Sequence, residues 1–385
     1  MNLSACPHRP PCDGCPRFGA SGIARAPREL LWDLARAHGL PEVAEHSGTL
    51  FGFRHRARLA IRGRLGAPKI GLFEADSHHV VHIPNCRVHH PLINEVAGIV
   101  RGALASAQVT CYSDRAHLGL ARYLQIVIER RTTTAQVVLV VNALTAEPLI
   151  ECLELIRRRL GSRLHSLWLN FNTQPDNVIL GHEFHHHCGP AAVIEEFGGA
   201  AVHYPPGAFG QSNLEIAGKI VSHIRDRIPP GARVTEFHAG VGAIGLSVLD
   251  QVSALALNEM SPASLEGLQM GVAQLTVAQR NRIQVLPGAA AAASDAARGA
   301  EVVIVDPPRK GLDPQLTQFL ATQPPPQLIY VSCSLESFVR DVQQLTVSGA
   351  LGLTQLTAFN LMPFTQHVET VALLRRPLSA GASAG

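Results

Sequence analysis

Gln327 to Asp341 reads QLIYVSCSLESFVRD, and this stretch decides the fold. Leu328, Ile329, Tyr330 and Val331 form the short apolar run of a buried strand. Ser332, Cys333 and Ser334 then make a sharp turn, after which Leu335, Phe338, Val339, Val342 and Leu345 recur at helical spacing. Cys333 is thereby expected at the carboxyl end of a strand and the amino end of a helix, where an open α/β sheet places its chemistry. The unpaired N–H groups and dipole of a helix end favour a thiolate. Taken alone, the position also suits a buried structural cysteine. Its neighbours in the sequence decide for a nucleophile.

Outward from this stretch, Val302 to Val305 is a buried strand ending in Asp306-Pro307-Pro308-Arg309. Arg233 to Phe237 is a strand running into His238-Ala239-Gly240-Val241-Gly242. Glycines after the first strand of a βαβ unit let a ligand approach the backbone. By itself that turn serves a dinucleotide or S-adenosylmethionine equally. About 20 residues further on, the strand Val252 to Leu257 ends in Asn258-Glu259, an acid placed to accept hydrogen bonds from ribose hydroxyls. The runs Arg282 to Leu286, Leu351 to Leu361 and Val368 to Leu374 complete a seven-stranded, doubly wound α/β sheet. A helix over Ser212 to Arg227 precedes it.

At 385 residues, two or three domains are expected. With 46% hydrophobic and 16% charged residues, the composition is that of a soluble globular protein. The amino end has no apolar stretch suited to a signal peptide, and no run approaches the ~18 apolar residues of a membrane span. A net charge of only +3 confines any nucleic-acid surface to a local patch. Eight cysteines without a secretion signal point to metal or catalytic roles and to the cytoplasm. Cys6, Cys12 and Cys15 lie in a Pro- and Gly-held loop, and Cys86 lies in a second turn. Such thiolates converge on one metal centre, and zinc and an iron–sulfur cluster both accept four. Cys111, Cys152 and Cys188 stand alone, and His182 to Cys188 (HEFHHHC) reads as a polar loop.

Ser47 to Phe73 contains no acidic residue. Within it Arg54, Arg56, Arg58, Arg62 and Arg64 are all even-numbered, while Phe51, Phe53, Ala57, Leu59 and Ile61 are odd. Alternation on a strand puts the guanidiniums on one face, a row suited to phosphate backbones. The expected division is a cysteine-cluster region with this basic strand over residues 1–90, a central α+β RNA-binding domain over 91–203, the doubly wound α/β domain over 204–377 and a flexible tail over 378–385.

AFGQSN (208–213), EFHAGVGAIGL (236–246), VDPPRKG (305–311), YVSCS (330–334) and MPFTQHVETVALL (362–374) occur in the order seen in the uracil-C5 RNA methyltransferase family. The chain resembles that family over nearly its whole length. The resemblance implies a class I Rossmann-like fold and transfer of a methyl group from S-adenosyl-L-methionine to uracil C5, giving 5-methyluridine. It also implies that Cys6, Cys12, Cys15 and Cys86 hold a structural [4Fe-4S] cluster. Without an OB-like domain before Cys6, the chain looks most like the short branch that modifies 23S rRNA, and a monomer is expected. A tRNA substrate, or a metal-stapled RNA-binding protein with a degraded methyltransferase domain, are the alternatives. By the same resemblance Gln211, His238, Glu259 and Asp306 contact the cofactor beside Gly240 and Gly242. Ser334-Leu335, Gly210, Ala239 and Ala289 depart from the family's usual residues. Asp-Pro-Pro also suits an amino-methyltransferase, but Arg309 and Cys333 argue against one.

The chemistry explains the residue types. Uracil C5 is too weak a nucleophile to attack a methyl sulfonium unaided. Addition of a thiolate at C6 makes C5 enolate-like, so a cysteine is required, and Cys333 fills that place. After transfer the C5 proton must leave so that the thiol can be eliminated, and a carboxylate is the natural base. By resemblance that base is Glu369. The target base must leave its stack, at a cost of a few kcal/mol that the pocket and the arginine row must offset.

Overall fold

The computed structural model describes residues 5–377, so the tail expected at 378–385 lies outside the described residues. In chain order the helices and strands are α1 (Arg25–Ala37), β1 (Ala44–His46), β2 (Arg56–Arg64), β3 (Ala67–Phe73), β4 (Val80–His82), α2 (Pro91–Ser106), β5 (Ala121–Glu129) and β6 (Thr134–Val141). They continue with α3 (Ile150–Leu160), β7 (Leu164–Phe171), β8 (Glu183–Cys188), β9 (Val193–Phe197), β10 (Ala200–Tyr204), α4 (Leu214–Arg225), β11 (Arg233–Phe237) and β12 (Ala254–Glu259). The last are α5 (Pro262–Ala273), α6 (Val277–Arg280), β13 (Ile283–Pro287), β14 (Val302–Val305), α7 (Pro314–Thr322), β15 (Gln327–Ser332), α8 (Leu335–Thr346), β16 (Gly352–Phe359) and β17 (Glu369–Arg375). No helix among the described residues is long and apolar enough to cross a membrane.

The chain forms two compact units. Among the described residues, one comprises 5–21, 49–195 and 203–214, and the other 22–48, 196–202 and 215–377. These limits differ from the expected division at 90/91 and 203/204. The reason lies in the strand pairing of the first unit, whose seven-stranded sheet runs β4-β3-β2-β5-β6-β7-β8. β2 pairs with β5 from Arg56↔Val127 to Ala60↔Tyr123, so the basic strand and the central region share one sheet. Ile93, Val96, Val100 and Leu104 of α2 and Cys152, Leu153 and Ile156 of α3 pack on one face, against Leu59, Ile61, Leu124, Ile126, Leu139 and Leu169. Burying each large side chain of this kind stabilises the unit by about 1.5–3 kcal/mol. Of the segment His182 to Cys188, read from sequence as a loop, Glu183 to Cys188 form the edge strand β8, antiparallel to β7. Its polarity reflects a strand paired on one side only.

In the second unit the order is β1-β16-β17-β15-β14-β11-β12-β13. β11 to β15 are parallel, and β17 runs antiparallel to both β15 and β16. The seven strands expected from sequence are all present. An eighth, β1, pairs parallel with β16. It arrives with α1, whose Leu31 and Leu34 join the core of this unit beside Phe338, Val342 and Leu345 of α8. The sheet order reverses between β14 and β11, the topological switch point at which such sheets bind ligands. Registers Phe237↔Asn258, Phe237↔Val305, Val305↔Tyr330 and Ser332↔Thr370 bring the chemically loaded strand ends to one edge.

Candidate active site

Five consecutive strands of the second sheet, β17-β15-β14-β11-β12, each deliver one ionisable group to that edge. Glu369 opens the antiparallel β17, Cys333 follows β15, Asp306 follows β14, Glu236 is the penultimate residue of β11, and Glu259 closes β12. The strand registers set these residues near one another.

Glu369 is buried, and burial followed by the nearby Asp306 raises its carboxyl well above the ordinary range. Asp306 is raised to about 7, by burial and then by Glu259. The Cys333 thiol is likewise pushed up, by burial first and then by Glu369 and Asp306, while Arg309 and its own N–H act the other way. The helix end expected to favour a thiolate lies just beyond the cysteine, since α8 begins at Leu335 with Ser334 at its cap. The turn itself is held by Ser332, whose Oγ accepts from Ser334 N–H at 3.2 Å and donates to Ser334 O at 3.0 Å.

α8 also fixes the loop that follows Asp306. Asp341, 1% exposed, accepts hydrogen bonds from Tyr330 OH and from Leu312 N–H, each at 2.7 Å. Arg340 Nη2 donates to Lys310 O at 2.7 Å, and Ser337 Oγ to Arg309 O at 3.0 Å. Gly311, at φ +86°, passes where a Cβ would lie 2.4 Å from Asp341 Oδ2.

On the other side of the switch point, Glu259 Oε2 accepts from Gly240 N–H at 2.7 Å. Its Oε1 accepts from Met260 N–H at 2.8 Å and Ser261 N–H at 2.6 Å. Three backbone donors therefore occupy the acid expected to bind ribose, leaving one of about four acceptor positions open. His238 adopts φ +60°, and its buried Nδ1 has no hydrogen-bond partner. Burial lowers its pKa, so a neutral ring faces Glu259 and Lys310. Glu236 was not singled out in the sequence. The only signal was a carboxylate among apolar residues of a strand, VTEF.

Gln211 belongs to the first unit, in a small cavity with His55, Arg56, Glu195 and Tyr204. The glycine before it has a physical reason. A Cβ on Gly210 would meet the Tyr204 ring at 2.6 Å and Arg56 Nη2 at 2.8 Å, and that guanidinium lies over the same ring at 5.4 Å.

Cys6, Cys12, Cys15 and Cys86 are brought together in the first unit. Burial and then Cys86, Cys12 and Cys6 in turn push the Cys15 thiol up to about 11. Asn85 N–H donates to His8 Nε2 at 3.3 Å, tying the two cysteine loops. The donor set suits a centre that takes four thiolates. Electrostatic coupling reaches farther than coordination, however, and no group of three His, Cys, Asp or Glu among the described residues stands in metal-holding geometry. The HEFHHHC segment likewise forms no such group, and His187 instead bonds Glu154 at 3.0 Å.

The arginine row is not one exposed stripe. Arg62 is buried, with Nε and Nη2 donating to Asp114 at 2.6 Å and Nη1 to Ile61 O and Arg122 O at 2.8 Å. Its guanidinium lies over Phe73, Tyr112 and Tyr123 at 5.2, 5.3 and 5.2 Å. Arg56 is buried as well, donating to Ala208 O at 2.7 Å. Segments distant in sequence cover the face that alternation left open. Arg58 and Arg64 remain exposed, Arg58 with Nε donating to Gln125 Oε1 at 2.7 Å, while Arg54 is partly buried.

Residues 294–377 match the model of the tRNA (Uracil-5-)-methyltransferase family. An uncharacterized RNA methyltransferase of Protochlamydia amoebophila (strain UWE25) is 34% identical over 380 residues, covering 97% of each chain. One of Geobacter sulfurreducens (strain ATCC 51573 / DSM 12127 / PCA) is 28% identical over 401 residues, covering 97% of this chain and 77% of that one. Among solved structures, the Pyrococcus abyssi tRNA (uracil-54, C5)-methyltransferase in complex with S-adenosyl-L-homocysteine matches with a TM-score of 0.78 at 23% identity. That match covers 97% of this chain and 86% of the other, and shows a shared fold. The chain belongs to the RNA (uracil-5-)-methyltransferase family.

Proposed function

We propose that this RNA methyltransferase uses S-adenosyl-L-methionine to methylate uracil C5 in 23S rRNA, with Cys333 as nucleophile and Glu369 as base. The observation that carries the reading is the meeting of Cys333, Glu369 and Asp306, with Asp306 acting on both of the others and Glu369 acting on the thiol. A thiol and a base beside it are what addition and elimination at one pyrimidine require. Bound in the pocket, S-adenosyl-L-methionine would supply an electrophilic methyl group. An edge with four carboxyls favours a cationic ligand of that kind. His238, Gly240, Gly242, Glu259 and Asp306 would line it, and the part expected of Gln211 rests on the resemblance alone. The family description favours tRNA as a second reading. Mass mapping of ribosomal and transfer RNA from a strain lacking the protein separates the two. The expected result is loss of one 5-methyluridine from 23S rRNA, and loss from tRNA instead overturns that choice.

Of the arginines, Arg58 and Arg64 are the ones proposed to meet RNA phosphates. Replacing both with Gln is expected to weaken RNA binding alike for all sequences. It should also reduce the slope of log affinity against log salt by about 1–2. Titrations at several salt concentrations check this, and an unchanged slope would make them a solvated surface only.

Cys6, Cys12, Cys15 and Cys86 are proposed to hold a [4Fe-4S] cluster with a structural part. Iron analysis of anaerobically purified protein is expected to give about four irons per chain. One zinc and no iron after anaerobic reconstitution would replace the cluster with a zinc site.

A further inference from the structure

The sheet edge holds more carboxyls than the uracil chemistry uses. Glu236 has no part in addition or elimination, yet it is only 1% exposed, inside the central strand of the site. Its carboxylate accepts the Gly245 N–H, and its Oε2 has no hydrogen-bond partner. Gly245 makes room for it, since a Cβ there would lie 2.4 Å from that oxygen. From the two flanking strands, Asp306 and Glu259 act on Glu236, and both oppose its ionisation. Asp306 in turn feels Glu259, and Glu369 feels Asp306. Glu236 pairs in register with Leu257 and Ile304, so Glu259 and Asp306 stand two residues further along the flanking chains. Away from water and opposed by both, Glu236 keeps its proton at neutral pH.

An S-adenosyl-L-methionine molecule carries one more positive charge than S-adenosyl-L-homocysteine, the sulfonium. We propose that Glu236 is the buried proton carrier of this carboxyl group and makes binding of the cationic methyl donor proton-coupled. As the donor enters, the O–H bond of the neutral Glu236 breaks heterolytically. The proton passes to the solvent buffer, and the carboxylate left behind balances the donor's charge. When the methyl group leaves, the sulfonium becomes a neutral thioether and the carboxyl group takes a proton back. Glu236 acts here as a positioning and charge-balancing residue. The inference rests on the methyl-donor reading above.

The sign follows from linkage. A ligand that lowers the proton affinity of its site binds more tightly as pH rises, until the empty site has lost its own proton. Calorimetric titration of the full chain with S-adenosyl-L-methionine, in buffers of low and high ionisation enthalpy, measures the protons released. The expected release near pH 6.5 is about half to one proton per donor, and clearly less with S-adenosyl-L-homocysteine. Affinity for the donor should improve by up to about tenfold from pH 6 to pH 7. Glu236→Gln should cut the release by at least about half and flatten the pH dependence. Donor binding without proton exchange overturns the inference and leaves the methyl-donor reading standing, as does full release from Glu236→Gln. Failure of the donor to bind at all overturns both. If Glu236→Gln does not fold, equal proton exchange with the two ligands on the native protein still overturns the inference.

Discussion

Cys333→Ala is expected to bind RNA and S-adenosyl-L-methionine as the native protein does and to transfer no methyl group. The loss of turnover should be on the order of 10⁴-fold or more, because removing a covalent nucleophile closes the route and does not merely slow it. The surroundings sharpen the prediction. Burial, Glu369 and Asp306 hold the thiol above its ordinary pKa, so the reactive thiolate is scarce at neutral pH. Methylation by the native protein should therefore rise with pH through neutrality, as the thiolate fraction grows. Formation of 5-methyluridine, followed by mass spectrometry across that range, measures both effects. A denaturing gel reports the protein–RNA adduct, which the alanine variant should never form. Full activity in Cys333→Ala overturns the reaction class, since methylation at an amino nitrogen needs no such cysteine.

Legibility from sequence followed the range of the interactions involved. β11, β14 and β15 were readable because a buried parallel strand is a short apolar run bounded by turns, a purely local signal. Cys333, Asp306 and Glu259 could be placed at strand ends because they bound the apolar runs of β15, β14 and β12. The alternation on β2 correctly placed Ala57, Leu59 and Ile61 in the core. It could not show that Asp114 lies 52 residues away in sequence to claim Arg62, or that the carbonyl of Ala208 claims Arg56 from 152 residues away. β1 is three residues long, and it is a strand only because β16 lies beside it. β8 escaped notice for a related reason. A strand with one open edge keeps its polar residues, and HEFHHHC carries no apolar alternation. The rise in the Cys333 thiol required Glu369 and Asp306 to be near it in space, which the motif order alone did not supply. Short-range patterning thus located the elements, while the charge of the site emerged only from their packing.

Glu369→Gln is expected to separate the two halves of the reaction, and to do so in opposite directions. Glutamine preserves the shape of the buried side chain but can take no proton from C5. Removing a general base costs about 10²–10⁴ in rate, so turnover should fall by that much at the elimination step. Addition and methyl transfer do not need the base. The variant should therefore accumulate an adduct that survives denaturation and carries the labelled methyl group. The same substitution also removes the acid that, after burial, does most to raise the Cys333 thiol. Thiolate becomes easier to form, and the midpoint for alkylation of Cys333 by iodoacetamide should move to lower pH. Nucleophilic addition is thus expected to quicken while release slows, so the adduct builds up faster than loss of the base alone predicts. In the native protein burial and Asp306 raise the Glu369 carboxyl, which strengthens its affinity for the proton it is to take. A Glu369→Gln protein that turns over normally, with no trapped adduct, would keep the reaction class and move the base to Asp306. A trapped adduct with an unchanged alkylation midpoint would keep Glu369 as the base and deny it any hold over the thiol.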